Sequence, residues 1–286
     1  MRPPRVLGVP PHPYHDRMTP DTTRLPEYLA AATAAARTGA AVLESWRAKF
    51  TVREKARADL VTDADQASQE AVKAALLGAF PDHAFLGEED SVGKSPEETR
   101  PPADGPPVWV VDPLDGTSNY VHDVPAYCVS IGLWHRGRAV VGVIYDPRMG
   151  ELFTAAAGHG AFLNGEPIKV SGAATLADAM LSTGFPANYQ KAVRNLGAWA
   201  KLTEHAQSLR RTGSTALNMA YVAAGRFDGY WAHDNYAWDV MAGACLIAEA
   251  GGTLTTIDGE PLDPFRPDIL ATNGPIHGEI LTVLRS

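Results

Sequence analysis

Trp109-Val110-Val111-Asp112-Pro113-Leu114-Asp115-Gly116-Thr117-Ser118-Asn119 is an apolar run that ends in two carboxylates three residues apart, followed by a Gly-Thr-Ser turn. The run reads as a buried strand. Proline stops the ladder at its end, so both carboxylates can converge on one cation, with Mg2+ the first candidate for such hard oxygen donors. Gly-Thr-Ser can open a helix whose unpaired N–H groups point outward and attract phosphate oxygens. Metal and phosphate would then sit side by side.

Working outward, Ala84-Phe85-Leu86-Gly87 reads as a short strand that delivers Glu88, Glu89 and Asp90 at its end. Before it, Leu29, Ala32, Ala36, Ala40, Leu43 and Trp46 recur every three or four residues, which predicts a helix with one buried stripe over Glu27 to Ala48. After the polar stretch Thr51 to Asp59, Thr62-x-x-Asp65 resembles a capping box, placing Asp65 in the first turn of a helix that Pro81 ends. Residues 91–107 carry five prolines and no periodicity, which predicts an exposed loop.

Beyond the motif, strand-like runs at Tyr127 to Trp134, Ala139 to Tyr145, Glu151 to Ala155 and Ala161 to Leu163 are separated by turn sequences and suit an antiparallel meander. After Ser171 the pattern changes. Strands at Met180 to Thr183, Phe227 to Trp231 and Thr253 to Ile257 alternate with helices at Tyr189 to His205, Ser214 to Ala224, Trp238 to Ala250 and near the C-terminus. The expected class is therefore α/β, with an α+β half over 27–170 and an α/β half over 171–286. Residues 1–26, with seven prolines and no continuous apolar core, read as a flexible extension without an export signal, Met18 being an alternative start.

Composition narrows the function. The 286 residues carry 25 basic and 33 acidic side chains, a formal net charge of -8 with no Lys/Arg block, so a dedicated nucleic-acid binder is not expected and a small substrate is. Cys128 and Cys245 stand alone, outside any zinc or disulfide spacing, which fits reduced thiols in the cytoplasm. No apolar run of membrane-spanning length occurs.

Four acids, Glu88, Asp112, Asp115 and Asp239, fall at element ends. Each alone has an ordinary explanation: Asp239 as a first-turn acid of its helix, Glu88 as a surface acid, Asp112 and Asp115 as a turn. Together with their neighbours they carry more. Through Gly87-Glu88-Glu89, the stretch Asp112 to Asn119 and Trp238-Asp239-Val240-Met241-Ala242-Gly243, the chain resembles the inositol monophosphatase family of magnesium-dependent, lithium-sensitive phosphatases. Asp59-Leu60-Val61-Thr62-x-x-Asp65, Gly158 to Gly165 and Gly213-Ser214-Thr215-Ala216 extend the resemblance over nearly everything after residue 27.

The resemblance implies a layered αβαβα sugar-phosphatase-type fold, a homodimer, and two or three Mg2+ ions held by Glu88, Asp112, Asp115, Asp239, the Leu114 carbonyl and the Thr117 hydroxyl. It also implies that a water activated at the metals attacks phosphorus directly, positioned by the catalytic group Glu88, Thr117 and Asp65. Phosphate and the leaving group fall to Gly116, Thr117, Ser118, Gly213, Ser214, Thr215 and Asp239, while this chain's own Asp234 can take over a hydroxyl-binding role. Lys55 is either near the metals or simply exposed, and His122 and His233 stay outside an oxygen-liganded shell.

The chain departs from the family at one point. Many inositol-specific members carry a sugar-binding glutamate seven residues before the Trp-Asp aspartate; here that position is Ala232. Inositol 1-phosphate is the first expected substrate and histidinol phosphate the next. Fructose 1,6-bisphosphate and 3'-phosphoadenosine phosphates are handled within the same superfamily, and an RNA- or protein-binding regulator on the scaffold is the non-enzymatic alternative.

Overall fold

The computed structural model describes residues 22–47, 49–56, 59–102, 104–186 and 189–286, and leaves the side chains of 22, 54–61 and 187–191 aside. Residues 1–21 of the expected extension lie outside the described residues. Thr22–Arg24 already forms a short 3-10 turn leading into α1 (Leu25–Trp46).

Strand β3 (Ala84–Gly87) pairs in parallel with β4 (Val108–Asp115), the strand of the opening motif, which is buried at every position. From β4 the sheet continues antiparallel through β5 (Cys128–His135), β6 (Arg138–Asp146), β7 (Glu151–Ala156), β8 (Ala161–Leu163) and β9 (Glu166–Ile168), seven strands in chain order. This is the expected meander with one further edge strand. A second sheet has the order β11-β10-β12-β14-β13. It joins β10 (Met180–Thr183), β11 (Ser208–Arg210) and β12 (Gly229–Ala232) in parallel to the antiparallel pair β13 (Thr253–Thr255) and β14 (Ile269–Thr272).

Alternation along the strands creates the layers. Trp109, Val111, Val129, Ile131 and Val143 face α1 and α2 (Asp63–Ala79), sharing a core with Ala32, Ala36, Leu43, Val72 and Leu76. The opposite face of the large sheet meets α6 (Ala237–Glu249) and α5 (Thr215–Ala223), which also pack on Tyr230, Ala232, Ile269 and Ala271 of the small sheet. On its outer face Leu181, Trp231 and Leu270 join Leu202 of α4 (Tyr189–Thr203) and Ile280 of α7 (His277–Arg285). Helix, sheet, helix, sheet and helix follow one another, which is the expected αβαβα stack. The approach of α6 to the large sheet depends on glycine: a Cβ on Gly142 would lie 2.3 Å from the Ala242 carbonyl oxygen.

Two expectations change. The polar stretch at Thr51 to Asp59 contains β1 (Val52–Ala56), which pairs with β2 (Asp59–Thr62) as an antiparallel hairpin. Residues 91–107 are not simply exposed. Ser91 and Thr99 are buried, Glu97–Thr99 forms a 3-10 turn, and Arg100 pairs with Asp263 at 2.7 Å and lies over the Phe265 ring. Among the described residues no helix is long and apolar enough to cross a membrane.

Candidate active site

The register of β4 sets the centre of the site. Asp112 pairs with Ser130 and Asp115 with Cys128, so β4 carries one residue more than β5 between those pairs. That bulge accommodates Pro113, which has no N–H for the ladder. It also turns both aspartates to the same face, because Ser130 and Cys128 are two apart on β5 and cross-strand partners share a side. This face meets α5 and α6.

Neighbouring elements bring in the other acids. Glu88 follows β3, and its N–H donates to the Val111 carbonyl at 3.1 Å, which sets it beside the end of β4. Asp239 is the third residue of α6, where its Oδ2 accepts from the Tyr236 N–H at 2.7 Å. Asp112 is completely buried. Burial first, then the charges of Glu88, Asp115 and Asp239, push its carboxyl well above the ordinary carboxylate range, while the Leu114 N–H at 2.9 Å holds one oxygen.

Asp115 has a second duty. Its Oδ2 accepts from Ser214 Oγ and the Ala216 N–H, both at 2.6 Å, and its Oδ1 from the Thr215 N–H at 3.2 Å. It thus closes the N-terminus of α5, about a hundred residues away in sequence. Burial raises its carboxyl to about 6, and these hydrogen bonds limit the rise. Among the described residues no three Asp, Glu, His or Cys side chains form a group ready to hold a metal ion. The expected ligands Glu88, Asp112, Asp115 and Asp239 do act on one another electrostatically.

Two of the three expected water-positioning residues, Asp65 and Thr117, meet. Asp65, at the third position of α2, accepts from the Thr62 N–H at 2.8 Å and the Thr62 hydroxyl at 2.5 Å, the capping box read from the sequence. Its other oxygen lies 3.2 Å from the Thr117 hydroxyl, which is also 3.1 Å from the Leu114 carbonyl. Thr117 opens the short helix α3 (Thr117–Val121) after Gly116, which adopts a φ of +95° that glycine tolerates. A Cβ there would meet the Ala126 carbonyl oxygen at 2.8 Å. Asn119, the last residue of the motif, donates to the carbonyls of Ala126 and Thr212 at 2.6 and 2.9 Å and so fixes α3 to the turn before α5.

Beside this centre is a cleft of about 160 Å³ lined by Gly213, Ser214, Thr215, Asp234 and Asp239, all expected from the sequence. His233 and Asn235, the neighbours of Asp234 in a segment whose imidazole and aromatic rings the sequence already offers to the leaving alcohol, line it as well, and so do Phe185 and Arg211, which no motif places there. For His233 the missing signal is Asp268, its partner at 3.0 Å, which lies 35 residues away at the foot of β14. The side chain of Lys55 lies outside the described residues.

The donor set fits a hard divalent cation: carboxylates, one carbonyl and one hydroxyl around a buried acid whose carboxyl three neighbouring acids act to raise. Comparison with known proteins agrees with that chemistry. The model of the inositol monophosphatase family matches residues 25–286. An inositol-1-monophosphatase of Synechocystis sp. is 41% identical over 249 residues, 86% of this chain and 84% of that protein. The Nus factor SuhB of Pseudomonas aeruginosa is 39% identical over 240 residues, 82% of this chain and 86% of that protein. A solved structure of an IMPase/NADP phosphatase complexed with Mg2+ and phosphate superposes with a TM-score of 0.79 at 26% identity, covering 92% of this chain and 96% of that one. The chain belongs to the inositol monophosphatase family.

Proposed function

We propose that this chain is a Mg2+-dependent phosphoric monoester hydrolase whose principal substrate is inositol 1-phosphate, working in the cytoplasm as a homodimer. One observation carries the reading: Asp112 is buried at the end of β4, and after burial the charges of Glu88, Asp115 and Asp239 all act to raise its carboxyl. Buried like charges are costly unless a cation joins them. Glu88, Asp112, Asp115, Asp239, the Leu114 carbonyl and the Thr117 hydroxyl would hold two or three Mg2+ ions. When bound, these supply Lewis acidity to the phosphoryl oxygens.

The chain's own groups do the rest. Gly116, Thr117 and Ser118 lie at the opening of α3, where backbone N–H groups lack helical partners and can hold phosphate oxygens. The Thr117 hydroxyl can donate to Asp65 Oδ1 while accepting from a water, which orients that water's lone pair toward phosphorus. As the new P–O bond forms, the attacking water gives up one proton, to Glu88 or through the Thr117 hydroxyl to Asp65; the ester P–O bond breaks, and the leaving alkoxide takes one proton from a solvent water, which the proton released from the carboxylate restores. Gly213, Ser214, Thr215, Asp234 and Asp239 line the cleft that would receive this alcohol. Cys128 and Cys245, both free and buried, support a reducing compartment.

Phosphate release with and without Mg2+ should be measured on inositol 1-phosphate, histidinol phosphate, fructose 1,6-bisphosphate and 3'-phosphoadenosine 5'-phosphate. Mg2+-dependent release, fastest from inositol 1-phosphate, is expected. Release from none of the four would overturn the reading. A relative carries the different name Nus factor SuhB, beside which stands the second reading, an RNA- or protein-binding regulator on the same scaffold. A net charge of -8 without a basic block speaks against direct RNA contact.

A further inference from the structure

The cleft holds a residue pair that the expected site does not use. His233 is 8% exposed, lines the cleft next to Ala232 and Asp234, and has its Nδ1 3.0 Å from Asp268 Oδ1. Asp268 in turn lies 3.4 Å from an Arg194 guanidinium nitrogen through its other oxygen. Burial works to raise the Asp268 carboxyl, yet His233 and Arg194 hold it below its ordinary range, so it is an ionised acceptor. An ionised acceptor at Nδ1 draws the proton to that nitrogen and leaves Nε2, on the far side of the ring from Asp268, as an acceptor.

The backbone around this pair is fixed. The Asn235 N–H and its side-chain amide both donate to the Pro267 carbonyl, at 2.8 and 3.0 Å, so residues 233–235 are tied to the segment that carries Asp268. Ala232 itself is 1% exposed and its methyl group offers no hydrogen bond. The polar contact absent at position 232 is thus available one residue later, on a ring whose orientation a buried carboxylate sets.

We propose that His233, oriented by Asp268, is the specificity-determining contact of this cleft: its Nε2 accepts a hydrogen bond from a hydroxyl of the leaving alcohol remote from the ester oxygen, selecting phosphomonoesters of polyols. The inference rests on the hydrolase reading above and deepens it. A site built to pair with a hydroxyl discriminates against an analogue lacking it, because its own polar atom is then left unpaired. Asp268 is a positioning residue that never touches substrate.

Inositol 1-phosphate and cyclohexyl phosphate share a six-membered ring and differ in the remote hydroxyls, so the ratio of their kcat/KM values reads the contacts to those hydroxyls, and its change on substituting His233 reads the share of this residue. In His233→Ala that ratio should fall about 10-fold, mostly through KM for inositol 1-phosphate. His233→Gln, whose amide oxygen can accept the same hydroxyl, should recover most of the ratio. Asp268→Asn should lower the ratio by a smaller factor and shift the His233 ring in 15N spectra away from the Nδ1–H tautomer. An unchanged ratio in His233→Ala, with both esters still hydrolysed, would overturn the inference and leave the hydrolase reading standing. Failure of the glutamine to recover what the alanine loses would overturn it equally. No Mg2+-dependent release from either ester by the unaltered protein would overturn both.

Discussion

His277 opens α7 with both ring nitrogens engaged, Nε2 2.9 Å from the Thr255 hydroxyl and Nδ1 2.9 Å from the Thr272 hydroxyl. Neutral imidazole satisfies this arrangement, one nitrogen donating and the other accepting. A second proton would place a buried cation at the positive end of a helix. Burial accordingly lowers its pKa from 6.5 to about 4. The sign follows from proton binding: between about 6.5 and about 4 the unfolded chain takes up a proton that the folded chain refuses. Stability from this group is complete above pH ~6.5 and is lost as the pH falls. At ~1.4 kcal/mol per pH unit across that window the loss approaches about 3 kcal/mol, with about 2 kcal/mol gone by pH 5. His83, also lowered to about 4 chiefly by burial, is more exposed and adds a smaller loss of the same sign. Urea unfolding at pH 7.5 and pH 5 on the unaltered protein and on His277→Gln isolates the effect. The variant should lose about 2 kcal/mol less between the two pH values. Equal losses in the two proteins would refute the assignment.

Two further perturbations test the packing and the site. Gly142→Ala sets a methyl group against the Ala242 carbonyl and should destabilise the protein by ~1–3 kcal/mol in denaturant unfolding; a neutral result would mean that α6 can move off the sheet. Thr117→Ala should lower kcat for phosphate release ~10²-fold or more with little change in KM, and Thr117→Ser should keep most of the activity; a normal kcat in the alanine variant would remove Thr117 from the proton path.

Much of this arrangement is legible in the chain because it is local. The β4 run, its Asp-Pro-x-Asp end, the capping box at Thr62 and Asp65 and the meander turns are each specified by neighbours in sequence. The capping box in particular is reproduced atom by atom. The β1–β2 hairpin escapes because a two-stranded ribbon rich in charged residues carries no apolar alternation to mark it. Strand β14 escapes because Ile269–Thr272 is only four residues long and follows a stretch of turns. At the site, the limit is distance along the chain. Asp115 closing the N-terminus of α5 and Asp268 orienting His233 are tertiary pairings between residues that no motif links.

The central claim is that the buried acids are there for a divalent cation, and calorimetric titration of Mg2+ into the unaltered protein and into Asp112→Asn tests it directly. The asparagine can still accept from the Leu114 N–H, so the fold has no reason to fail, and removing one of the mutually repelling charges should leave the metal-free variant at least as stable. Saturable Mg2+ binding by the unaltered protein, abolished or weakened at least ~10-fold in Asp112→Asn, is the expected result. Equal Mg2+ affinity in the two proteins, or no binding by either, would contradict the account.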